Sequence, residues 1–169
     1  MSDIDDVILR PACISDLDTL ERFQQGIVSA ERPFDPRLRE SGVRYYDIAA
    51  MLTDPAVHVL MAEADGLPIG CAFARLDVPK PWFRHAREAY LGLMYVEPAW
   101  RGRGVNAGLL SALAQWCRTQ QVSECRLDVY ADNASAVRAY RKAGFTPSMV
   151  EMRMTLASGG DAGDDPSTG

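Results

Sequence analysis

The chain has little histidine and no paired cysteines, and these two shortages remove several chemistries at once. Its two histidines, His58 and His85, form no H-E-x-x-H pair, so a zinc site has almost nothing to be built from. Cys13, Cys71, Cys117 and Cys125 are scattered without a C-x-x-C spacing. That pattern predicts reduced, mostly buried thiols in a cytoplasmic protein rather than disulfides or a metal site. No apolar run approaches the ~20 residues needed to span a bilayer, and the acidic opening Met1-Ser2-Asp3-Ile4-Asp5-Asp6 lacks the apolar core of a secretion signal. Basic charge is also scarce. The formal net charge is −5, and the arginines are dispersed except around one loop, so no basic face stands ready to displace counterions from a nucleic acid. The expected partners therefore include no nucleic acid, no membrane and no metal.

What is present fits one domain. A length of 169 residues supports a single core without disulfide or metal support. The expected division is a domain over 1–156 and a disordered tail over 157–169, where Gly, Asp and Ser predominate. Val7-Ile8-Leu9-Arg10 reads as a first strand, and Ser15 as the cap of a helix ending near Ser29. The two prolines of Glu31-Arg32-Pro33-Phe34-Asp35-Pro36-Arg37 demand a loop. A shorter helix is expected over Tyr45 to Leu52. Val57 to Ala62 and Ile69 to Leu76 flank Asp65-Gly66, the signature of an antiparallel hairpin. Asp77 to Arg87 is a long connection, and Glu88 to Val96 a strand in which Gly92 marks a bulge or a close backbone approach. Leu109, Leu110, Leu113, Trp116 and Cys117 define a helix stripe. Cys125 to Tyr130 reads as a strand, Asp132-Asn133 as a helix cap, Gly144 as its stop, and Phe145 to Leu156 as one or two closing strands. The result is an α/β chain with a mixed sheet and helices on both faces.

One stretch organises the rest. After Tyr95-Val96-Glu97-Pro98 comes Arg101-Gly102-Arg103-Gly104-Val105-Asn106, and then a helix pattern. A helix N-terminus carries unpaired N–H groups and about half a positive charge. Glycines that admit a close ligand, with Arg101 and Arg103 beside them, make it a phosphate site. Gly102-Arg103-Gly104-Val105-Asn106-Ala107 also fits the dinucleotide fingerprint G-x-G-x-x-[G/A]. That fold needs several more parallel strands downstream than the remaining chain can supply.

Those residues resemble the acyl-CoA motif [R/Q]-x-x-G-x-[G/A] of the GCN5-related N-acetyltransferases (GNAT), with Asn106 standing where Gly or Ala is usual. A second family segment, N-x-x-A-x-x-x-Y-x-x-x-G-F, is met by Asn133, Ala136, Tyr140, Gly144 and Phe145. The resemblance implies a mostly antiparallel sheet with one parallel pair, formed by the fourth and fifth strands and splayed at the cofactor site. It implies an acetyl-CoA-dependent transferase that moves an acetyl group directly to an amine. A small-molecule amine is favoured and a protein amine is open; a homodimer is possible, as in many relatives. The competing reading is a non-catalytic acyl-CoA-binding module.

The resemblance also assigns tasks. The backbone of Met94, Tyr95 and Val96 would pair with pantetheine. The N–H groups from Arg101 through Gly102, Arg103, Gly104 and Val105 to Asn106 would hold the pyrophosphate. Asn133 would touch pantetheine or cap its helix, Ala136 would line the cofactor, and Tyr140 would protonate the departing sulfur. Many relatives carry a carboxylate on the strand before the loop, where this chain has Gly92, Leu93 and Met94. Glu88, on the same strand face as Tyr90 by two-residue alternation, is the catalytic carboxylate that remains, with His85 as another base or no base at all. Glu31, Arg32, Phe34 and Tyr90 are the expected acceptor residues, and Trp82 and Phe83 an opposite wall.

Overall fold

The computed structural model describes residues 7–156. The tail read over 157–169 lies outside them. Along the chain run β1 (Val7–Pro11), α1 (Leu17–Glu31), α2 (Ile48–Met51), β2 (Val57–Ala64), β3 (Leu67–Asp77), β4 (Glu88–Val96), α3 (Val105–Thr119), β5 (Glu124–Arg126) and α4 (Ala134–Lys142). The strands form one sheet in the order β1-β2-β3-β4-β5. All neighbours are antiparallel except β4 and β5.

The hairpin follows from its turn chemistry. Asp65 and Gly66 both have positive φ, 52° and 73°, as a tight hairpin turn requires. Strand alternation then divides the core. Leu60, Ala62, Ala72, Ala74, Ala89 and Leu91 pack beneath Leu109, Leu110, Leu113 and Cys117 of α3. Val59, Met61, Cys71 and Phe73 turn the other way, against Leu20 and Phe23 of α1 and Ile48 of α2. Leu109 and Leu113 are fully buried, and each contributes about 2 kcal/mol by leaving water. Helices thus cover both faces, as expected.

The alternation breaks once. On β4, Ala89 and Leu91 face α3, but so do Met94 and Val96, while Tyr90, Leu93 and Tyr95 face α1. The register shifts between Cys71 and Phe73 of β3, and Leu93 takes a positive φ of 53°. This is a β-bulge beside Gly92. A side chain on Gly92 would meet the Tyr46 hydroxyl at 2.6 Å and the Phe73 ring at 2.8 Å, so the expected bulge is present and what approaches the glycine closely is a pair of side chains rather than another backbone.

Several boundaries move. α1 begins after a 3-10 turn over Ile14–Asp16 and continues to Glu31, and Ser15 lies within that turn rather than capping the helix. Asp16 instead accepts from the Cys13 N–H and from Arg10, both at 2.8 Å. The second helix is only Ile48–Met51, capped by Asp47, which leaves Tyr45 and Tyr46 in irregular chain. β5 stops at Arg126. The closing strands expected over Phe145 to Leu156 are absent: this segment has no regular structure, and Met149 and Met152 are 88 % and 89 % exposed. Alternation alone does not make a strand, which needs an edge to pair with, and β5 is too short to offer one.

Candidate active site

The site begins where β4 loses its neighbour. Parallel pairing ends at Tyr90 with Arg126, yet β4 continues to Val96. From Leu91 onward no strand lies on that side among the described residues. The opened edge points at the Arg-Gly loop. Gly102 and Gly104 are left-handed, with φ of 74° and 85°, a conformation that costs other residues about 1–2 kcal/mol. Gly104 caps α3 without a side-chain hydrogen bond, so the first N–H groups of the helix remain free. The Gly108 N–H is the first to return to the ladder, donating to the Gly104 carbonyl at 2.9 Å. Nothing in the protein lies within 4 Å of a methyl built on Gly102. The loop is therefore open where an anion would approach. Asn106 sits at an ordinary helical position without positive φ, so this place needs no glycine and its N–H keeps its direction.

Side chains around the loop are braced. The Arg101 Nε donates to the Val96 carbonyl at 3.0 Å, and Arg103 lies over the Trp100 ring. Tyr95 stacks on Phe23 at 4.7 Å and donates to Glu97 at 3.1 Å, which commits its side chain to the α1 face. Met94 and Val96 pack toward α3. All three leave only their backbone for a ligand on the open edge.

α4 joins the core cluster beneath α3. Asn133 caps it by accepting the Ala136 N–H at 3.2 Å. One turn further, Tyr140 packs against the core and meets Phe145 edge-on at 6.0 Å. Burial pushes the Tyr140 phenol up to about 12, and the nearby Glu31 and Tyr46 add to the effect. At neutral pH it remains a proton donor.

The residues expected to meet the acceptor lie among segments brought together from distant parts of the chain. The Glu31 carboxyl, at the end of α1, is raised by burial, with Tyr45 acting against that. The Tyr45 hydroxyl is itself buried without a hydrogen bond. Tyr130 donates to Asp35 at 3.2 Å and stacks on Phe34 at 6.3 Å, so the α1–α2 loop is tied to the segment after β5. Asp35 is held down to about 2, chiefly by Arg37. A shallow open depression of about 340 Å³ is lined by Arg44, Tyr45, Tyr46 and Asp47.

Two expected residues are spent elsewhere. Arg32 donates to the carbonyls of Arg39 and Glu40, closing its own loop. Glu88 starts β4, at the opposite end from Val96, and holds His85 at 2.9 Å and Arg126 at 3.2 Å. The His85 bond, before that of Arg126, lowers its carboxyl. The guanidinium groups of Arg126 and Arg75, the partners of Tyr90 on β5 and β3, each lie over its ring, at 4.9 and 5.3 Å. Trp82 and Phe83 are exposed, with Phe83 stacked on His85. Tyr46, Asp128 and Tyr130 were not singled out from the sequence, although Gly92 was read as marking a bulge or a close backbone approach.

A mixed sheet that opens its parallel pair beside a glycine-bearing, uncapped helix N-terminus defines an acyl-CoA-dependent acyltransferase. The Acetyltransferase (GNAT) family model matches residues 22–145, and the chain belongs to that family. It is 30% identical over 116 residues to the aminoglycoside N(6')-acetyltransferase type 1 of Stenotrophomonas maltophilia, covering 65% of this chain and 74% of that one. It is 32% identical over 112 residues to the N-alpha-acetyltransferase RimI of Mycobacterium tuberculosis, covering 66% of each. Among solved structures, a predicted acetyltransferase of Clostridium acetobutylicum with acetyl-CoA shares the fold, with a TM-score of 0.68 at 19% identity, over 89% of this chain and 96% of that one. The chain is an acetyl-CoA-dependent N-acetyltransferase, and acetyl-CoA is its cosubstrate. Among the described residues no helix is long and apolar enough to cross a membrane, and no group of three or more His, Cys, Asp or Glu side chains is placed to hold a metal ion.

Proposed function

We propose that this enzyme transfers the acetyl group directly to an amine within a ternary complex, and that the amine is a small molecule. The observation that supports this is the edge of β4 left open beyond Tyr90, beside an Arg-Gly loop whose helix begins without a side-chain cap. Acetyl-CoA supplies the activated thioester. The N–H groups of Gly102 to Asn106 bind its pyrophosphate, and the Met94 to Val96 backbone orients the pantetheine arm. One N–H of that stretch stabilises the developing oxyanion, which costs no reorganisation because the strand already holds it. Tyr140 gives its proton to the departing sulfur, and Asn133 sets the helix that carries it.

The acceptor enters on the Glu31, Tyr46 and Tyr90 side. We take the Tyr130–Asp35 bond, which ties the α1–α2 loop to the segment after β5, to favour a compact amine over a folded protein surface, in keeping with the aminoglycoside named for one relative. Glu88 serves as the anchor for Arg126 beside Tyr90 rather than as base, since its carboxylate is already paired. No cysteine is assigned to carry the acetyl group: Cys71 and Cys117 are buried, Cys117 holds the Cys125 thiol next to it, and Cys13 follows β1, with β2 and β3 between that strand and β4.

The test is release of CoA thiol from acetyl-CoA with kanamycin, spermidine, L-lysine and a peptide with a free N-terminus. Release that depends on one of the small amines supports the reading. Tight acetyl-CoA binding with no release for any amine would make the chain a binding module instead.

A further inference from the structure

Gly26 lies inside α1, where glycine is among the poorest helix formers. Its place is explained by what it leaves room for. A Cβ on Gly26 would meet the Tyr95 ring at 2.4 Å (Cε2) and 2.9 Å (Cζ), and the Tyr95 hydroxyl at 3.1 Å. The bare backbone of α1 is therefore the seat of that ring. Arg22 and Phe23, one turn earlier on the same helix face, complete it. Phe23 is fully buried and stacks on Tyr95 at 4.7 Å, with 27° between the ring planes. Arg22 lies over the Phe23 ring at 4.7 Å and donates to one oxygen of Glu97 at 2.6 Å; the other oxygen accepts the Tyr95 hydroxyl at 3.1 Å. The Glu97 N–H is tied in turn to the Ile69 carbonyl of β3 at 2.8 Å. The ring of Tyr95 is thus held on its face and at its tip.

We propose that Gly26 is a positioning residue for acetyl transfer: by letting Tyr95 lie flat on α1, it fixes the rotation of β4 beyond the bulge, and with it the aim of the Met94 and Val96 backbone at the cosubstrate. The proposal rests on the direct-transfer reading above. This end of β4 needs such a pin. Its pairing with β5 stops at Arg126, so among the described residues β3 alone pairs with it beyond Tyr90, and the bulge at Gly92 and Leu93 interrupts even that ladder. Met94 and Val96 pack toward α3, and Tyr95 between them anchors the opposite face. The Val96 carbonyl is turned to the Arg-Gly loop, where the Arg101 Nε donates to it at 3.0 Å.

The distances set the size of the effect. A methyl on Gly26 must push the ring back by about 1 Å to restore an ordinary carbon contact of ~3.5 Å. Phe23 and Glu97 resist a swing of the ring alone, so the displacement passes into the strand. An oxyanion donor acts only when aimed at the developing charge, and a misplacement on the order of 1 Å costs about a hundredfold in rate. The pyrophosphate cradle at Gly102 to Asn106 is untouched, so cosubstrate affinity moves much less than rate.

Gly26→Ala, Tyr95→Leu and the two together test this, each measured for kcat with the best amine of the panel and for CoA binding by calorimetry. Gly26→Ala should lower kcat about 10- to 100-fold while the Kd for CoA stays within about threefold, and every chain should still bind CoA. A merely structural fault would instead lower the binding-competent fraction along with the rate. Tyr95→Leu removes the ring without overpacking and should lower kcat about tenfold; it decides the matter even where Gly26→Ala does not fold. In the Tyr95→Leu background Gly26→Ala should cost less than about twofold, because the methyl then meets no ring. A folded Gly26→Ala or Tyr95→Leu enzyme with kcat within about threefold of wild type, or a Gly26→Ala loss equally large in both backgrounds, overturns the proposal while leaving direct transfer intact. A wild-type protein that acetylates no amine takes both down.

Discussion

Replacing Gly102 by alanine isolates the phosphate cradle from the rest of the fold. Its φ is 74°, and an added methyl would meet no protein atom within 4 Å. The substitution therefore carries only the left-handed strain of an L-residue, about 1–2 kcal/mol. In the free protein the loop is exposed and can relax, so stability should fall by less than about 1 kcal/mol. Binding of the pyrophosphate must restore the left-handed turn, and the full strain then appears in affinity. At 1.4 kcal/mol per decade this is a rise in the Kd for CoA of about 5- to 30-fold. Gly66 is the control. Its φ of 73° and open surroundings are nearly the same, but it sits in the β2–β3 turn, where the strand register forbids relaxation. Gly66→Ala should lower Tm by about 3–6 °C and leave CoA affinity unchanged. Calorimetric titration with CoA and thermal melts of the two variants give both numbers. Wild-type affinity in a folded Gly102→Ala protein would refute the cradle.

Three further outcomes follow from the geometry. Tyr140→Phe should lower kcat by about a hundredfold or more with CoA affinity preserved, because the hydroxyl acts when the thiolate leaves; steady-state rates beside a CoA titration check this. Gln24→Ala leaves the Tyr45 and Tyr46 N–H groups without their acceptor, at a cost of roughly 3 kcal/mol, seen as a Tm lower by about 8 °C. Glu88 has a folded pKa below its ordinary 4.5, so its contribution to stability is present above that pH and lost as pH falls through the folded value. Glu88→Gln should therefore flatten the acid limb of a stability-against-pH curve while turnover at neutral pH persists; loss of turnover on a scale of a hundredfold or more would restore Glu88 as base.

What could be read in advance was what is local. Asp65-Gly66 announced its hairpin, Asn133 its helix cap, and Arg101 to Asn106 a glycine loop opening a helix, because each rests on backbone preferences of a few adjacent residues. The limits were non-local. Cys125 to Tyr130 has the composition of a strand, but it leaves the sheet after Arg126, just before the bulge at Gly92 and Leu93 breaks the regular edge of β4. Phe145 to Leu156 has strand composition and no strand to pair with. The side proposed for the acceptor draws on Glu31, Tyr46, Tyr90 and Tyr130, parts of the chain that no periodicity connects. Gly92 was the one local trace of that assembly, a gap in β4 whose occupant comes from the loop before α2.

The central claim is direct transfer between two substrates held together across the open edge of β4. Initial velocities measured against acetyl-CoA at several fixed concentrations of the accepted amine test it most simply. Intersecting reciprocal plots are the predicted result, because both substrates must be bound before the acetyl group moves. Parallel plots, with CoA released before the amine binds, would contradict the account and point to an acetylated enzyme instead.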